Sequence, residues 1–324
     1  MFFASRLSLV TGGAGFIGTH LAKALLDQGG RVRLALHRRA PIVSDPRVET
    51  VQADLTRQED CLDAMQGVDL VFHAAGAVSG VGVGADHAMA GITTNLNLTA
   101  QVLQAALATS VERILIFSSS TVYPARDHPV REDEAEGAPH PSYLGYGRMR
   151  RYFEHLAEFV ASRSSVKVAL VRPTAVYGPH DDFHPTTSHV IPALVRKAVA
   201  KLDPFEVWGS GDEVRDFLHV EDFARGCLLM MEKHAACDPV NIGYGSPITI
   251  RRVVELVLAA AGHDKAEVRF DASKPTAIPV RLVDISKARQ LLGFEPRISI
   301  EDGLTDLVRW YAARGSMDLR PDAR

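Results

Sequence analysis

The stretch that decides the fold is Leu7–Gly18, which reads Leu-Ser-Leu-Val-Thr-Gly-Gly-Ala-Gly-Phe-Ile-Gly. A short apolar run ends in closely spaced glycines, and the amphipathic segment Phe16–Leu26 follows at once. This order predicts a strand, a tight turn and a helix N-terminus. Gly12, Gly15 and Gly18 fit the three requirements of a dinucleotide-binding loop, which are a sharp turn, close approach to a pyrophosphate and close helix–strand packing.

Composition and charge narrow the class of protein. With 324 residues, 46% of them hydrophobic and 23% charged, the chain is ordinary for a globular protein with substantial cores. It carries 36 Lys and Arg against 39 Asp and Glu, so we expect no nucleic-acid partner. No apolar run approaches the roughly 20 residues that span a bilayer, so we expect no membrane partner. The few, widely spaced cysteines (Cys61, Cys227 and Cys237) predict a reducing, cytoplasmic setting.

Apolar runs and helix-like segments alternate through the first half of the chain. After the first strand, the runs predicted to be strands are Arg31–Leu36, Val48–Ala53, Val68–His73, Arg113–Phe117 and Val166–Val171. The glycine-rich stretch Ala77–Gly91 is predicted to be a loop, followed by helices over about Thr93–Ala108 and Tyr146–Ser162. This alternation predicts an α/β fold, a Rossmann-type doubly wound parallel sheet with helices on both faces.

Beyond Arg172-Pro173 the pattern loosens, and prolines break the chain into shorter pieces. In an open α/β sheet, ligands bind outside the carboxyl ends of the strands, where a second lobe can contact the substrate. We therefore expect residues 1–178 and 217–243 to form the dinucleotide-binding domain. Residues 179–216 and 244–324 are expected to form a smaller substrate-binding lobe.

The end of the second strand indicates which dinucleotide binds. An acidic residue there accepts hydrogen bonds from the adenosine ribose of NAD, whereas basic residues accommodate the 2′-phosphate of NADP. Here the strand runs into His37, Arg38 and Arg39. An arginine pair can bind a phosphate bidentately, so we predict NADP(H).

Three separate segments carry residues suited to carbonyl chemistry. They are Ser118–Tyr123 after the fifth strand, Tyr146–Arg150 at the start of a helix, and Tyr177–His180 after the sixth strand. A carbonyl that exchanges hydride with a nicotinamide needs a hydroxyl to polarise its oxygen and an acid or base to move its proton. A tyrosine beside a cation can do this, because the cation stabilises the phenolate.

With these segments in order, the chain resembles the extended short-chain dehydrogenases/reductases, the NAD-dependent epimerase/dehydratase family. The resemblance covers nearly the whole length, from the glycine-rich loop through the sequence Ser-Ser-Ser-Thr-Val-Tyr. It implies a Rossmann-type fold, a dinucleotide cofactor and pairing of two chains through helices to form a homodimer. The cofactor-binding residues that it implies are Gly12, Gly15, Phe16, Ile17, His37, Arg38, Arg39, Asp54, Leu55, Ala74, Ala75, Gly76, Asn95, Tyr146, Arg150, Pro173, Val176 and His180.

Within this family the chain is most similar to the GDP-L-fucose synthases, which epimerise and then reduce a GDP-4-keto-6-deoxymannose with NADPH. The similarity lies in Tyr177–Ala193, in Val207–Val220 and in Asp271–Pro275. It implies Ser119 and Tyr146 as the hydrogen-bonding acid pair and His180 as a proton donor or base. The substrate-binding residues that it implies, for a nucleotide sugar with GDP favoured, are Ser120, Thr174, His189, Val190, Lys197, Trp208, Arg215 and Lys274.

Two positions depart from the family pattern. The usual Tyr-x-x-x-Lys is here Tyr146-x-x-x-Arg150, and an arginine keeps the positive charge but cannot relay protons at neutral pH. The fucose synthases carry a cysteine two residues after the active-site serine, as the base for epimerisation, whereas this chain has Thr121. An unactivated threonine is a poor base, so we interpret the chain as a keto reductase, an epimerase or both.

Two alternatives of different kinds stay open at this point. One is a 4-epimerase of UDP-, CDP- or dTDP-hexoses. The other is a non-catalytic NADP-binding sensor, in which Arg150 marks the loss of catalysis. The acidic and histidine side chains between His180 and His189 invite a metal-site interpretation. Because substrate contact explains that stretch equally, we predict no metal.

Overall fold

The computed structural model describes residues 2–77, 85–109, 111–274, 276 and 278–314. The strands, in chain order, are β1 (Leu7–Thr11), β2 (Arg31–Leu36), β3 (Val48–Gln52), β4 (Leu70–His73), β5 (Arg113–Phe117), β6 (Lys167–Pro173), β7 (Ala175–Tyr177), β8 (Phe205–Trp208), β9 (Val214–Arg215), β10 (Phe217–His219), β11 (Val240–Ile242), β12 (Ile248–Thr249), β13 (Val268–Asp271) and β14 (Val280–Arg281). The helices are α1 (Phe16–Asp27), α2 (Gln58–Met65), α3 (Ala85–Thr109), α4 (Leu144–Arg163), α5 (Val190–Val199), α6 (Val220–Lys233), α7 (Ile250–Ala260), α8 (Ser286–Leu292) and α9 (Ile300–Ala313).

A parallel sheet organises the first part of the chain, with the strand order β3-β2-β1-β4-β5-β6-β11. The order reverses between β1 and β4, so the crevice at their carboxyl ends is where a doubly wound sheet binds its ligand. The predicted fold class is confirmed.

Two buried clusters cover the two faces of this sheet. One face packs on α1, α6 and α8 and includes Leu25 and Phe223, and the other packs on α2, α3 and α4 and includes Val102 and Phe153. Every residue of β1 and β4 is buried. Strands covered by helices on both faces lose contact with water on both sides, which explains why most residues of these two strands are apolar.

A third buried cluster lies in the second part of the chain, between α5, α7, α9 and the β8–β13 pair. Its members include Ile191, Val253 and Leu304, each of which is less than 3% exposed. Residues 283–294 pack instead in the cluster on the α6 side of the sheet. This differs from the predicted boundary, which assigned all of 244–324 to the substrate lobe.

Two elements differ from the sequence prediction. The seventh strand of the sheet, β11, is only three residues long and was missed, because its middle residue is the polar Asn241. Helix α3 begins at Ala85 and not near Thr93, so the predicted loop over 77–91 is shorter. Residues 78–84 of that loop lie outside the described residues.

A buried ion pair joins α4 to β6. The guanidinium of Arg172 donates two hydrogen bonds of 2.8 Å to Glu154, and the side chains are only 5% and 9% exposed. Ser118, just past β5, also donates to Glu154. Arg172 donates to the Tyr123 hydroxyl at 3.0 Å, and that hydroxyl donates to Asn241 of β11 at 2.7 Å. The network therefore ties β5, β6, β11 and α4 together.

We predict that Arg172→Met lowers the free energy of unfolding by about 3–5 kcal/mol, because it leaves Glu154 charged and unpaired in the interior. The measurement is urea unfolding followed by circular dichroism. The matched control is Arg289→Met, which breaks a 2.8 Å pair with Glu295 whose side chains are 49% and 62% exposed. That change should cost less than about 1 kcal/mol. Equal losses in the two variants would contradict a special role for the buried pair.

Candidate functional site

The glycine-rich loop after β1 has the shape that the sequence predicted. Gly12 has φ +65°, and a Cβ there would lie 2.9 Å from the backbone of Ala75. A Cβ on Gly18 would lie 2.2 Å from the carbonyl oxygen of Gly12. These two positions therefore exclude side chains, which brings the loop against both the end of β4 and helix α1.

The first turn of α1 is open to an anionic ligand. Gly15 caps this helix without a side-chain hydrogen bond, and Phe16 and Ile17 form the first turn. Uncapped N–H groups and the positive end of the helix dipole attract phosphate groups. The tight glycine cradle and this uncapped helix end fit a dinucleotide pyrophosphate.

The end of β4 is fixed by neutral polar groups. Thr11 accepts a hydrogen bond from the Ala75 N–H at 3.0 Å and contacts Nδ1 of His73 at 2.9 Å. Burial lowers the pKa of His73 to about 3, so its imidazole is uncharged. The Asn95 amide exchanges hydrogen bonds of 2.8 and 2.9 Å with the backbone of Ala77. Asn95 thus holds the loop that carries the predicted cofactor residues Ala74, Ala75 and Gly76.

The predicted adenosine-side residues lie beyond β2 and β3. His37, Arg38 and Arg39 are exposed at the carboxyl end of β2. Within the described part of the chain, neither arginine side chain has a hydrogen-bond or ion-pair partner. Asp54 accepts hydrogen bonds from both the N–H and the hydroxyl of Thr56, which lower its pKa. Its neighbour Leu55 is buried.

Ser119 and Thr121 lie together just after β5. The Ser119 oxygen accepts a hydrogen bond of 3.1 Å from the Thr121 N–H and one of 2.9 Å from the Thr121 hydroxyl. Ser120, between them, is 5% exposed. The predicted serine thus begins a short turn with its side chain already oriented.

Tyr146 and Arg150 lie one turn apart on α4. The Arg150 guanidinium donates one hydrogen bond to the Tyr146 hydroxyl and another, of 2.7 Å, to the carbonyl oxygen of Phe117 at the end of β5. Its carbon also lies 4.9 Å from the centre of the Tyr146 ring. The cation therefore contacts the phenol that it would stabilise as a phenolate.

Gly147 brings this helix against the serine turn. A Cβ at Gly147 would lie 2.4 Å from the carbonyl oxygen of Thr121. Because Gly147 directly follows Tyr146, this close approach places the start of α4 beside the turn that carries Ser119. Two of the three segments predicted to meet are therefore adjacent.

His180, from the third segment, lies between α1 and α9. It follows β7, which pairs with β10, and it has φ +69°. Its ring packs on the edge of Trp310 at 5.0 Å and near His20 at 5.9 Å between centroids. Burial lowers the pKa of His20 to about 4, and its neutral ring donates to the Pro179 carbonyl at 2.9 Å. His180 thus packs between two aromatic rings, and its predicted role as a proton donor or base stays a prediction.

His189 combines exposure with an acidic neighbour. Its side chain is 54% exposed, and Nδ1 lies 4.0 Å from the carboxylate of Asp181, which is 4% exposed. The second oxygen of Asp181 is buried and makes no hydrogen bond with any described residue. The Asp181 carboxylate raises the pKa of His189 above its ordinary value of 6.5. His189, which the sequence assigned to substrate binding, thus also has the exposure and the acidic neighbour that suit a proton donor.

Two arginines lie side by side in the second part of the chain. Arg215 of β9 and Arg281 of β14 are paired in register, so both side chains project from the same face. Burial and the nearby charge of Arg281 lower the pKa of Arg215 to about 10. Neither arginine has a carboxylate within ion-pair distance among the described residues. A dianion such as a diphosphate fits this pair.

A small cleft of about 20 Å³ lies between the serine turn and β14, and its walls include Ser120 and Thr121 as well as Tyr143 and Arg281. The Arg281 guanidinium packs over the Tyr143 ring at 5.4 Å. The cleft therefore extends from the serine turn to Arg281.

The sequence matches known proteins along most of its length. The model of the NAD dependent epimerase/dehydratase family matches residues 8–243. The chain belongs to this family. GDP-L-fucose synthase from Escherichia coli is 32% identical over 317 residues, covering 93% of this chain and 95% of the relative. A dTDP-4-dehydro-6-deoxy-D-allose reductase from a Streptomyces species is 30% identical over 321 residues, covering 95% of this chain and 97% of the relative.

Among solved structures, the UDP-glucuronic acid 4-epimerase from Bacillus cereus, in complex with UDP-glucuronic acid and NAD, has a TM-score of 0.83. It is 27% identical, and the match covers 95% of this chain and 99% of that one. The extended short-chain dehydrogenase/reductase resemblance is thus confirmed, and with it an NAD(P)-dependent enzyme of the epimerase/dehydratase family.

The other predicted residues of this family site have varied surroundings. Trp208 is 53% exposed at the end of β8, and Lys274 is exposed nearby. Val190 begins α5, and Lys197 of that helix donates to the Glu206 carbonyl at 2.7 Å.

The predicted residues around the end of β6 are part of the sheet region. Thr174, between β6 and β7, donates to the carbonyl of Asp216 at 2.8 Å. Pro173 ends β6, and Val176 lies within β7.

Sequence reasoning missed Arg281, Tyr143 and the buried pair of Glu154 and Arg172. A signal for Arg281 was present, since it interrupts the otherwise apolar stretch 278–283. An arginine inside such a stretch indicates a charge held near the interior for a ligand. No comparable signal marked Tyr143, because its partner is 138 positions away.

Membrane-spanning helices and metal-binding clusters are both absent from the described residues. None of their helices is both long enough and apolar enough to cross a bilayer. No group of three or more acidic, histidine or cysteine side chains among them is arranged to hold a metal ion.

We predict that Asp181→Asn lowers the pKa of His189 toward its ordinary value of about 6.5, because it removes the charge that stabilises the imidazolium. The measurement is an NMR titration of the 13 histidines, with the His189 signal assigned by its loss in His189→Gln. His128, which pairs with Glu134 at 2.8 Å, is the internal control and should keep its pKa. An unchanged His189 pKa would disprove the coupling.

Proposed function

We propose that this protein is an NADP(H)-dependent 4-keto reductase of nucleotide sugars, of the GDP-L-fucose synthase type. The observation that carries the proposal is the cleft with Ser120 and Thr121 at one side and Arg281 at the other. It places Arg281, one member of the arginine pair, opposite Ser120 and Thr121, the two residues that directly follow the predicted acid group Ser119. The relatives named as GDP-L-fucose synthase and dTDP-sugar reductase support this reaction class.

The nucleotide is held at the arginine end in this proposal. Arg215 and Arg281 would bind the diphosphate, since they are adjacent, charged and free of carboxylate partners among the described residues. The exposed Trp208 ring would stack on the base. The 32% identity with a GDP-L-fucose synthase favours guanine.

The acid pair would act on the sugar carbonyl. Ser119 and Tyr146 would donate hydrogen bonds to its oxygen, and the Tyr146 phenol would transfer its proton as the alcohol forms. Arg150 donates to the Tyr146 oxygen, so it stabilises the phenolate left behind. When bound, the reduced nicotinamide supplies the hydride. Reprotonation of Tyr146 must come from water or the ligand, because Arg150 cannot release a proton at neutral pH.

His189 is the second proton donor in this proposal, in place of His180. Its Asp181 partner raises its pKa, so it keeps its proton to a higher pH than an ordinary histidine and loses it as the pH rises through the raised pKa. A step that needs this proton would therefore slow at alkaline pH. His180, packed between His20 and Trp310, would support the loop that carries Asp181.

The cofactor would be NADP(H), and its binding residues fit the site. The glycine cradle and α1 would hold the pyrophosphate. Arg38 and Arg39, exposed beyond β2 and without partners among the described residues, would hold the 2′-phosphate. The solved epimerase bound to NAD shows that the family fold also accepts the dinucleotide without that phosphate. In this proposal, Arg38 and Arg39 therefore determine the preference for NADP(H) over NAD(H).

We also propose the assembly and the domain roles. Met89 on α3, and Tyr152 and Phe159 on α4, are between 52% and 58% exposed. Large apolar side chains on two packed helices favour a homodimer through α3 and α4, which light scattering would detect. Residues 1–178 and 217–243, joined by 283–294, would form the cofactor domain. The remaining parts of 179–216 and 244–324 would form the substrate lobe.

The deciding experiment offers the purified protein GDP-4-keto-6-deoxymannose with NADPH, and separately with NADH, and identifies the sugar product. We expect oxidation of NADPH and a 4-hydroxy sugar. Reactions in D₂O test epimerisation, because deuterium enters the ring only if a carbon beside the carbonyl is deprotonated. No oxidation of either cofactor with GDP-, UDP-, dTDP- or CDP-keto-sugars would refute the reductase.

A 4-epimerase of UDP-, CDP- or dTDP-hexoses is the second candidate, favoured by the similarity to the UDP-glucuronic acid 4-epimerase. An epimerase returns its hydride to the same sugar, so it inverts C4 without net consumption of cofactor. The same assay separates the two, because only the reductase consumes NADPH in proportion to product.

We predict that Arg38→Ala combined with Arg39→Ala raises the Kd for NADPH at least tenfold and leaves the Kd for NADH within about twofold. The loss reflects two charge-assisted contacts to the 2′-phosphate, each contributing roughly 1.5–3 kcal/mol at most. Fluorescence titration measures both constants. Arg31→Ala, at the opposite end of β2, is the matched control and should change neither. An unchanged preference would refute the phosphate contact.

A further inference from the structure

The Ser119 hydroxyl has both of its acceptor positions occupied by one residue. Its oxygen accepts from the Thr121 N–H at 3.1 Å and from the Thr121 hydroxyl at 2.9 Å. A serine hydroxyl has two lone pairs and one hydrogen. In this arrangement Thr121 engages both lone pairs, and the single hydrogen of Ser119 is left to donate to a third group.

Thr121 is itself fixed in place. It is 8% exposed, and its carbonyl oxygen lies where a Cβ of Gly147 would approach to 2.4 Å. Because Gly147 follows Tyr146 directly, the same residue that orients Ser119 also contacts the helix that carries Tyr146. Thr121 therefore sets both the direction of the Ser119 hydrogen and the position of the serine turn relative to α4.

The cleft lies next to the serine turn. Both Ser120 and Thr121 line it. A carbonyl oxygen only accepts hydrogen bonds, whereas a hydroxyl both donates and accepts. A serine fixed as a donor is thus matched to a carbonyl, while a freely rotating serine would serve an alcohol equally well.

We propose that Thr121 is a positioning residue that fixes Ser119 as a hydrogen-bond donor to the carbonyl oxygen of a keto-sugar. The inference rests on the proposed function and deepens it. Thr121 exchanges no proton with the sugar. It makes the site selective for the keto form of the ligand over a form that lacks the carbonyl.

Thr121→Val tests this, because valine keeps the shape and the backbone N–H but removes the hydroxyl. We expect kcat/KM with the keto-sugar to fall roughly 5- to 10-fold, the effect of one lost hydrogen bond, while the Kd for NADPH stays within about twofold. Thr121→Ser restores the hydroxyl and should restore kcat/KM. Thr109→Val, which removes a hydroxyl bonded to the Ala105 carbonyl in α3, is the matched control and should change neither constant.

A binding measurement makes the test independent of turnover. By calorimetry, the wild type should bind a 4-keto nucleotide sugar more tightly than its 4-deoxy analogue, and Thr121→Val should reduce that ratio roughly 5- to 10-fold. If Thr121→Val does not fold, Thr121→Cys replaces it, since its S–H is a weak donor. The binding ratio of Thr121→Cys should then lie between that of the wild type and the ratio expected for Thr121→Val. An unchanged ratio, or equal losses in the valine and serine variants, would overturn the inference. A normal ratio in a wild type that never oxidises NADPH would refute the reductase alone.

Discussion

The ion pair between Glu154 and Arg172 is the contact on which the site depends. Two charges buried this deeply are stable only when nearly every donor and acceptor around them is satisfied. Here Ser118, the Tyr123 hydroxyl and the Glu132 carbonyl complete the set. Because Glu154 lies on the same helix as Tyr146, and Ser118 directly precedes Ser119, the pair fixes the acid groups relative to one another.

The guanidinium of Arg150 adds a second constraint, at the surface of the same helix. It divides its donors between the Phe117 carbonyl and the Tyr146 hydroxyl, so it binds the strand end and the phenol simultaneously. A lysine ammonium is a compact charge that shifts between partners and can release a proton. The arginine instead holds the phenol rigidly, which separates two tasks that a lysine combines: charge stabilisation and proton transfer.

The sequence was sufficient for the sheet but only partly for the site. Strand–helix alternation and the glycine spacing act locally, so β1, β2 and β5 could be predicted closely. The short β11 could not, because Asn241 is stabilised there by Tyr123, 118 positions away. The order of the motifs also correctly predicted that the turn carrying Ser119 lies beside α4. It could not show that His180 has a left-handed backbone and packs on Trp310, or that His189 lies beside Asp181.

The register pairing of Arg215 with Arg281 has a consequence for the lobe that contains them. Two like charges held on one face of a small sheet repel each other, and no carboxylate among the described residues lies within ion-pair distance of either. The β9–β14 pair is only two residues long, so few backbone hydrogen bonds oppose that repulsion. A bound dianion would act as a missing structural counterion. The lobe that recognises the ligand would then acquire its full rigidity only in the ligand's presence.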